Sequence, residues 1–250
     1  MTDLRNKVAL ITGSARGIGK AIAERYAALG ANIVVNYTKD EAAANETVAQ
    51  IEKLGPRAIA VQADVAQVAD IERLFATAQT TFGKLDIVVV NAGVELVSLP
   101  VTDFTEEQYD RLFDINTKGA FFTMQQAAKH VTDHGRIIYI GSSTAGYPRP
   151  GYALHGGSKV APEYLVRILA QEIGHRGVTV NGIQPTATQG AGINASSADN
   201  ARMAAFIRDF CPMGRISTVE DVANVAEFFA GELSSFVSGQ HLLLSGGGLT

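Results

Sequence analysis

The chain has 250 residues, a formal net charge of −4 and a sequence pI near 5.7, which leaves no basic footprint for nucleic acid. Its one cysteine, Cys211, rules out an intramolecular disulfide and suits a reducing compartment. With 46% hydrophobic and 18% charged residues, no apolar run of membrane-spanning length and no signal-like N-terminus, the composition predicts a soluble, cytoplasmic, enzyme-like body. Part of its surface is expected to be buried between subunits, and no metal site is expected.

The predicted elements alternate. Lys7–Thr12 is a short, continuously apolar run, as in a strand covered on both faces. It leads straight into Gly13-Ser-Ala-Arg16-Gly17-Ile18-Gly19, after which Ile18, Ile22, Tyr26 and Leu29 recur at helical spacing up to Gly30. Strand, glycine loop and helix together let backbone N–H groups approach a pyrophosphate at a helix N-terminus. Ala31–Tyr37 reads as a second strand, Glu41–Leu54 as a helix closed by Gly55-Pro56, and Ala58–Ala63 as a third strand. A helix over 67–82, a strand at Leu85–Val90 and a long helical region over 106–131 follow. Arg136–Ile140 is a fifth strand, 155–175 a helix, and Val178–Ile183 and His241–Leu244 the last two strands. This order predicts an α/β fold: one Rossmann-type, doubly wound domain over 1–250, with a seven-stranded parallel sheet flanked by helices. Pro185–Asn200, rich in small residues and weakly periodic, has the composition of a lid, so a substrate lid is expected at about 186–210.

The Gly141–Lys159 stretch gathers candidate chemistry. It starts where the fifth strand ends in two serines and closes on His155 and Lys159, four apart and so on one helix face. The Gly13-x-x-x-Gly17-x-Gly19 loop, Asn91-Ala92-Gly93, Asn116 and Lys159, in that order, resemble the short-chain dehydrogenase/reductase family, from about Lys7 to Gly247. The resemblance implies a nicotinamide dinucleotide lined by Gly13, Gly17 and Gly19 and backed by Ile18. It also implies that Asp64, followed by Val65, meets the adenine amino group, with a helix N-cap as the bland alternative. Asn91, Ala92 and Gly93 would bracket the adenosine side. Pro185, Thr186 and Thr188 stand nearest the family's Pro-Gly segment and downstream threonine, but Thr186 replaces the glycine.

Charge separates the two cofactors. An NAD site grips the ribose 2′-hydroxyl with an acid at the end of the second strand. Here that end reads Asn36-Tyr37-Thr38, with no carboxylate before Asp40. Arg16 can pair with a 2′-phosphate, and Asn36 and Thr38 can donate to it, so NADP(H) is favoured over NAD(H).

On the catalytic side the resemblance implies Ser142 polarising a carbonyl, Asn116 supporting a water relay and Lys159 holding the nicotinamide ribose, with Ser142, Tyr147 and Tyr152 against substrate. The family's tyrosine, four before the lysine, is replaced by His155, and neither Tyr147 nor Tyr152 has that spacing. An imidazole is a competent acid or base with an ordinary pKa of about 6.5, which Lys159 and burial should lower. Three readings remain open: an NADP(H)-dependent oxidoreductase interconverting a carbonyl and a secondary alcohol, an impaired form that binds NADP(H) with little turnover, and a cofactor-sensing module. The resemblance also implies a homotetramer, with a dimer as the other option.

Overall fold

The structure, a computed structural model, describes residues 2–192 and 207–248. Seven strands, β1 (Val8–Ile11), β2 (Asn32–Tyr37), β3 (Ala58–Gln62), β4 (Ile87–Val90), β5 (Arg136–Ile140), β6 (Thr179–Pro185) and β7 (His241–Leu244), form one parallel sheet. Their order across it is β3-β2-β1-β4-β5-β6-β7. Connections run through α1 (Gly17–Ala28), α2 (Glu41–Glu52), α3 (Val68–Phe82), α4 (Glu106–Phe113), α5 (Ala120–His130), α6 (Ala153–Glu172) and α7 (Val219–Ala230).

The apolar strand runs are explained by two-sided burial. Successive strand residues point to opposite faces. Ala9, Ile11, Ile33, Val35, Ile87 and Val89 face one core with Ile22 and Tyr26 of α1 and Phe229 of α7. Val8, Leu10, Val34, Val88 and Val90 face the other with Phe75 of α3, Met124 of α5 and Val166 of α6. Each such large side chain contributes roughly 1.5–3 kcal/mol by leaving water, so the central strands are apolar on both faces.

Helix α7 was not foreseen, although its start is legible. Thr218 Oγ1 accepts from Asp221 N and the Asp221 carboxylate accepts from Thr218 N, a reciprocal cap. Tyr26 Oη donates to Ala226 O at 2.8 Å and pins α7 to α1.

The long helical region over 106–131 is three pieces. Between α4 and α5, Asp114–Gly119 winds as a π-helical segment that carries Asn116 inward; such segments are frequent at functional sites. Helix α6 begins at Ala153, two residues before the expected start, and contains Pro162. Proline has no N–H for the carbonyl four residues earlier, which leaves Ser158 O to other donors. Thr117 Oγ1, from the π segment, donates to it at 2.8 Å.

The sheet order reverses between β1 and β4, so loops at the carboxyl ends of these strands diverge and open a crevice where α/β sheets bind ligands. Gly13, Asn91 and Ser142 all follow the carboxyl ends of strands on that edge. Among the described residues no helix is long and apolar enough to cross a membrane.

Candidate active site and cofactor cleft

The glycine loop is shaped before any ligand arrives. Asn91 Nδ2 donates to Thr12 O at 2.8 Å and Gly13 O at 3.2 Å, while Thr12 Oγ1 accepts from Asn91 N and Ala92 N. Gly17 has φ +59, a left-handed conformation that side chains resist. A Cβ on Gly19 would sit 2.6 Å from both Asn91 Nδ2 and Gly13 O, so only glycine lets α1 begin this close to the loop. The backbone thus offers a bare cradle at a helix N-terminus, which fits a dinucleotide phosphate. Ile18 is half-buried and packs against the sheet core below.

The ribose end differs from expectation at one residue. Asn36 is buried: its Oδ1 accepts from Gly13 N at 3.0 Å and its Nδ2 donates to Ala63 O at 3.0 Å. Its amide holds the glycine loop against β2 and β3, which corrects the expectation that it donates to a phosphate. Thr38 and Arg16 are exposed and Tyr37 is half-buried. Lys39, which sequence reasoning passed over, adds a second exposed cation beside Thr38. Asp40 points elsewhere, its Oδ1 accepting from Ala43 N as the N-cap of α2. Cations without a free acid favour a phosphorylated ribose.

Asp64 is not the N-cap of α3, a place taken by Gln67. Its Oδ1 accepts from Ala66 N and its own N–H donates to Asp70 Oδ2, so the carboxylate is fixed at the β3 end. Val65 is buried beneath it against Gly119.

The catalytic candidates meet around Gly93. A Cβ there would lie 3.1 Å from Lys159 Nζ and 3.2 Å from Asn116 Oδ1. Asn116 is fully buried; its Oδ1 accepts from Val94 N at 2.8 Å, and its Nδ2 donates to Val94 O and to Ser158 Oγ. It therefore ties the Asn91–Gly93 loop to α6. Lys159 Nζ donates to Ile140 O at 3.1 Å, one step before Gly141 and Ser142. Burial lowers its pKa to about 8, against the opposing pull of Glu95 and Glu163.

His155 is 4% exposed and its Nδ1 is buried without a hydrogen-bond partner among the described residues. Burial, then the Lys159 charge, lower its pKa to about 4, with a backbone hydrogen bond to Val94 pulling the other way. The ring is thus neutral through the physiological range, as sequence reasoning anticipated. Ser142 Oγ pairs with Thr144 Oγ1 at 2.8 Å and accepts from Thr144 N, capping a short turn. Tyr147 is exposed and Tyr152 half-buried, just before α6.

At the lid's start Pro185 is buried. Thr186 Oγ1 donates to Leu244 O, and Thr188 Oγ1 donates to Thr186 O and pairs with Ser217 Oγ. Thr186 is thus tied to the end of β7 and Thr188 to the segment before α7, so both hydroxyls already have partners inside the protein. Gly190 O would lie 3.5 Å from a Cβ on Gly17, so the lid's root borders the glycine loop. Residues 193–206 of the expected lid lie outside the described residues.

The sequence model of the enoyl-(acyl carrier protein) reductase family matches residues 13–249. A hydroxynaphthalene reductase-like protein, Arp2, of Metarhizium brunneum is 42% identical over 99% of this chain and 97% of its own length. The crystal structure of a short-chain dehydrogenase from Burkholderia cenocepacia in complex with NADP superposes with a TM-score of 0.91 at 36% identity, covering 98% of both chains. The promiscuous reductase LugOII, which catalyses keto-reduction at C1 during lugdunomycin biosynthesis, gives a TM-score of 0.91 at 36% identity over the whole of both chains.

Proposed function

From the chain's membership of the short-chain dehydrogenase/reductase family, we propose that it is an NADP(H)-dependent oxidoreductase interconverting a carbonyl compound and a secondary alcohol. The observation that carries this reading is the meeting of Lys159, Asn116 and Gly93 beside an intact glycine cradle. The NADP-bound Burkholderia relative and the exposed Arg16 and Lys39 support the phosphorylated cofactor. The hydroxynaphthalene in the Metarhizium protein's name and the keto-reduction in LugOII's support an aromatic ketone.

NADPH, when bound, would supply the hydride. The chain's own residues then have to bring one proton to the carbonyl oxygen. Lys159, with a pKa of about 8, is cationic at neutral pH and close to releasing a proton. His155 cannot store one there, but a neutral imidazole can take a proton on one ring nitrogen while giving one up from the other. Ser142 then orients the carbonyl, Asn116 keeps the Gly93 loop and α6 in register, and Tyr147 and Tyr152 border the substrate. The 186–210 lid would exclude water, its root being held by Thr186 and Thr188.

The burial of His155 favours a second reading, a cofactor-binding protein with impaired turnover. NADPH oxidation with a bicyclic aromatic ketone and a broader carbonyl panel separates the two. A relay through His155 requires measurable turnover that falls in His155→Ala. An impaired site requires His155→Tyr to raise turnover by about tenfold or more, since acid–base groups contribute roughly 10²–10⁴-fold. Failure of the panel with tight NADPH binding would point to a binding module. Exposed Tyr109, Phe121, Val160 and Tyr164 on α4–α6, and Leu233, Phe236 and Leu242 near β7, support a homotetramer. The single free cysteine supports a cytoplasmic setting.

A further inference from the structure

The face of α6 that carries His155 and Lys159 continues one turn to Glu163, which the proposed reaction does not use. Residues four apart share a helix face, and Glu163 is 7% exposed. Its Oε2 accepts from Gln184 Nε2 at 2.7 Å, while Oε1 is buried with no hydrogen-bond partner among the described residues. Oε1 occupies the space a side chain on Gly141 would need, since a Cβ there would lie 2.6 Å away. The same strand end therefore receives both side chains: Ile140 O accepts from Lys159 Nζ, Gly141 packs on Glu163, and the Tyr139 ring lies 5.4 Å from Lys159 Nζ. The Tyr139 hydroxyl is also buried without a partner.

An acid is poorly explained here as packing. A buried carboxylate loses hydration that the Gln184 amide and the Ser142 backbone N–H replace only in part, which is costly unless a cation repays it. Glutamine or leucine would fill the same volume. We propose that Glu163 is a positioning residue of the oxidoreductase site, a buried counter-charge that keeps Lys159 cationic and fixes the Gly141–Ser142 corner. It acts through Lys159 and the β5 end and touches neither substrate nor cofactor. The proposal rests on the reading of Lys159 as the site's working cation.

The surrounding charges are few. On α6, Lys159 and Arg167 face Glu163; β5 presents Tyr139 and β7 presents His241, whose Nε2 pairs with Glu163 O at 2.9 Å. Lys159 is faced in addition by His155 and by Glu95 from the loop after β4. Burial raises the Glu163 carboxyl above its ordinary range, with Gln184, the Ser142 backbone N–H, Lys159 and Arg167 opposing in that order. Burial, with Glu163 adding to it, raises the Tyr139 hydroxyl well above its own.

The test is the titration of Lys159 in the whole protein, followed by NMR of ¹³Cε-labelled lysine and assigned with Lys159→Arg. Glu163→Gln keeps an oxygen for Gln184, removes the charge and exchanges the second oxygen, on the side of the Ser142 backbone N–H, for an amide nitrogen. It should lower the Lys159 midpoint by about one pH unit, the scale of a nearby opposite charge, and move the alkaline limb of NADPH oxidation down by the same amount. Gly141→Ala, which displaces Oε1 without removing it, should give a smaller shift in the same direction. An unmoved or raised midpoint in Glu163→Gln overturns the proposal. If that variant does not fold, the wild-type Lys159 signal should still carry a second inflection where Glu163 titrates, one that survives Glu95→Gln; its absence overturns the proposal as well. The NMR arm needs neither cofactor nor turnover. A shifted midpoint in a protein that never oxidises NADPH would support the charge pairing and defeat the proposed function alone.

Discussion

The glycine-loop half and the α6 half of the cleft are built on opposite principles. In the loop half, the polar side chains beneath the cradle have partners inside the protein: Thr12, Asn36 and Asn91 bond the backbone of Gly13 and its neighbours. On the α6 side, His155 Nδ1, Glu163 Oε1, Tyr139 Oη and His241 Nδ1 are all buried without one. Satisfied networks rigidify a site, whereas unsatisfied buried groups are costly and call for a reason. The first half is a mould that needs only a ligand. The second is a strip of titratable groups whose charges depend on one another.

This contrast can be broken by substitution. The largest effect is expected at Lys159: Lys159→Met should reduce NADPH-dependent turnover by roughly 10²–10⁴-fold, the scale of a positioned acid–base group, with far-UV circular dichroism unchanged. His155→Ala should cost a smaller factor, about 10–100-fold, read as kcat at saturating NADPH; an unchanged kcat would remove His155 from the proton path.

Acid should weaken the α6 half specifically. The folded pKa of His155, about 4, lies below an unfolded value of about 6.5. As pH falls through 6.5 the unfolded chain takes up a proton that the folded chain refuses, so stability is lost between about 6.5 and 4. The loss is on the order of 3 kcal/mol, measurable by urea denaturation across that window and reduced by that amount in His155→Tyr, where only His241, whose pKa burial also lowers, still contributes in the same direction.

In the loop half, Arg16→Ala should raise the Kd for NADPH by about tenfold and leave that for NADH unchanged, the loss of one charge-assisted pair. Fluorescence titration of both cofactors reads this directly. The smallest effect belongs to the seam between π segment and α6. Thr117→Val leaves Ser158 O without its donor and should cost about 1–2 kcal/mol of stability with little change in NADPH affinity.

Much of the architecture was legible because two-sided burial writes itself into short runs such as Val8–Ile11 and Ile87–Val90. Asn116 and Lys159 were found as members of a motif, and their meeting at Gly93 follows from the topology. Other features were hidden for physical reasons. Asn36 looked like a surface donor because its position at a strand end does not tell which way an amide turns. The π winding at Asp114–Gly119 depends on α6, through Thr117 and a carbonyl freed by Pro162 far along the chain. Helix α7 was missed although Thr218 and Asp221 carry a capping signature. Glu163 was passed over although it stands four residues from Lys159, because spacing alone does not separate a solvated acid from a buried one.

The most direct test of the account is the pH dependence of single-turnover NADPH oxidation with a bicyclic aromatic ketone in the wild-type protein. One inflection is expected near Lys159's value of about 8, with a flat rate across the ordinary imidazole range of about 6–7. A rate that instead titrates within that range would show His155 exchanging protons as an exposed, ordinary imidazole, and would contradict the assignment of the working charge to Lys159.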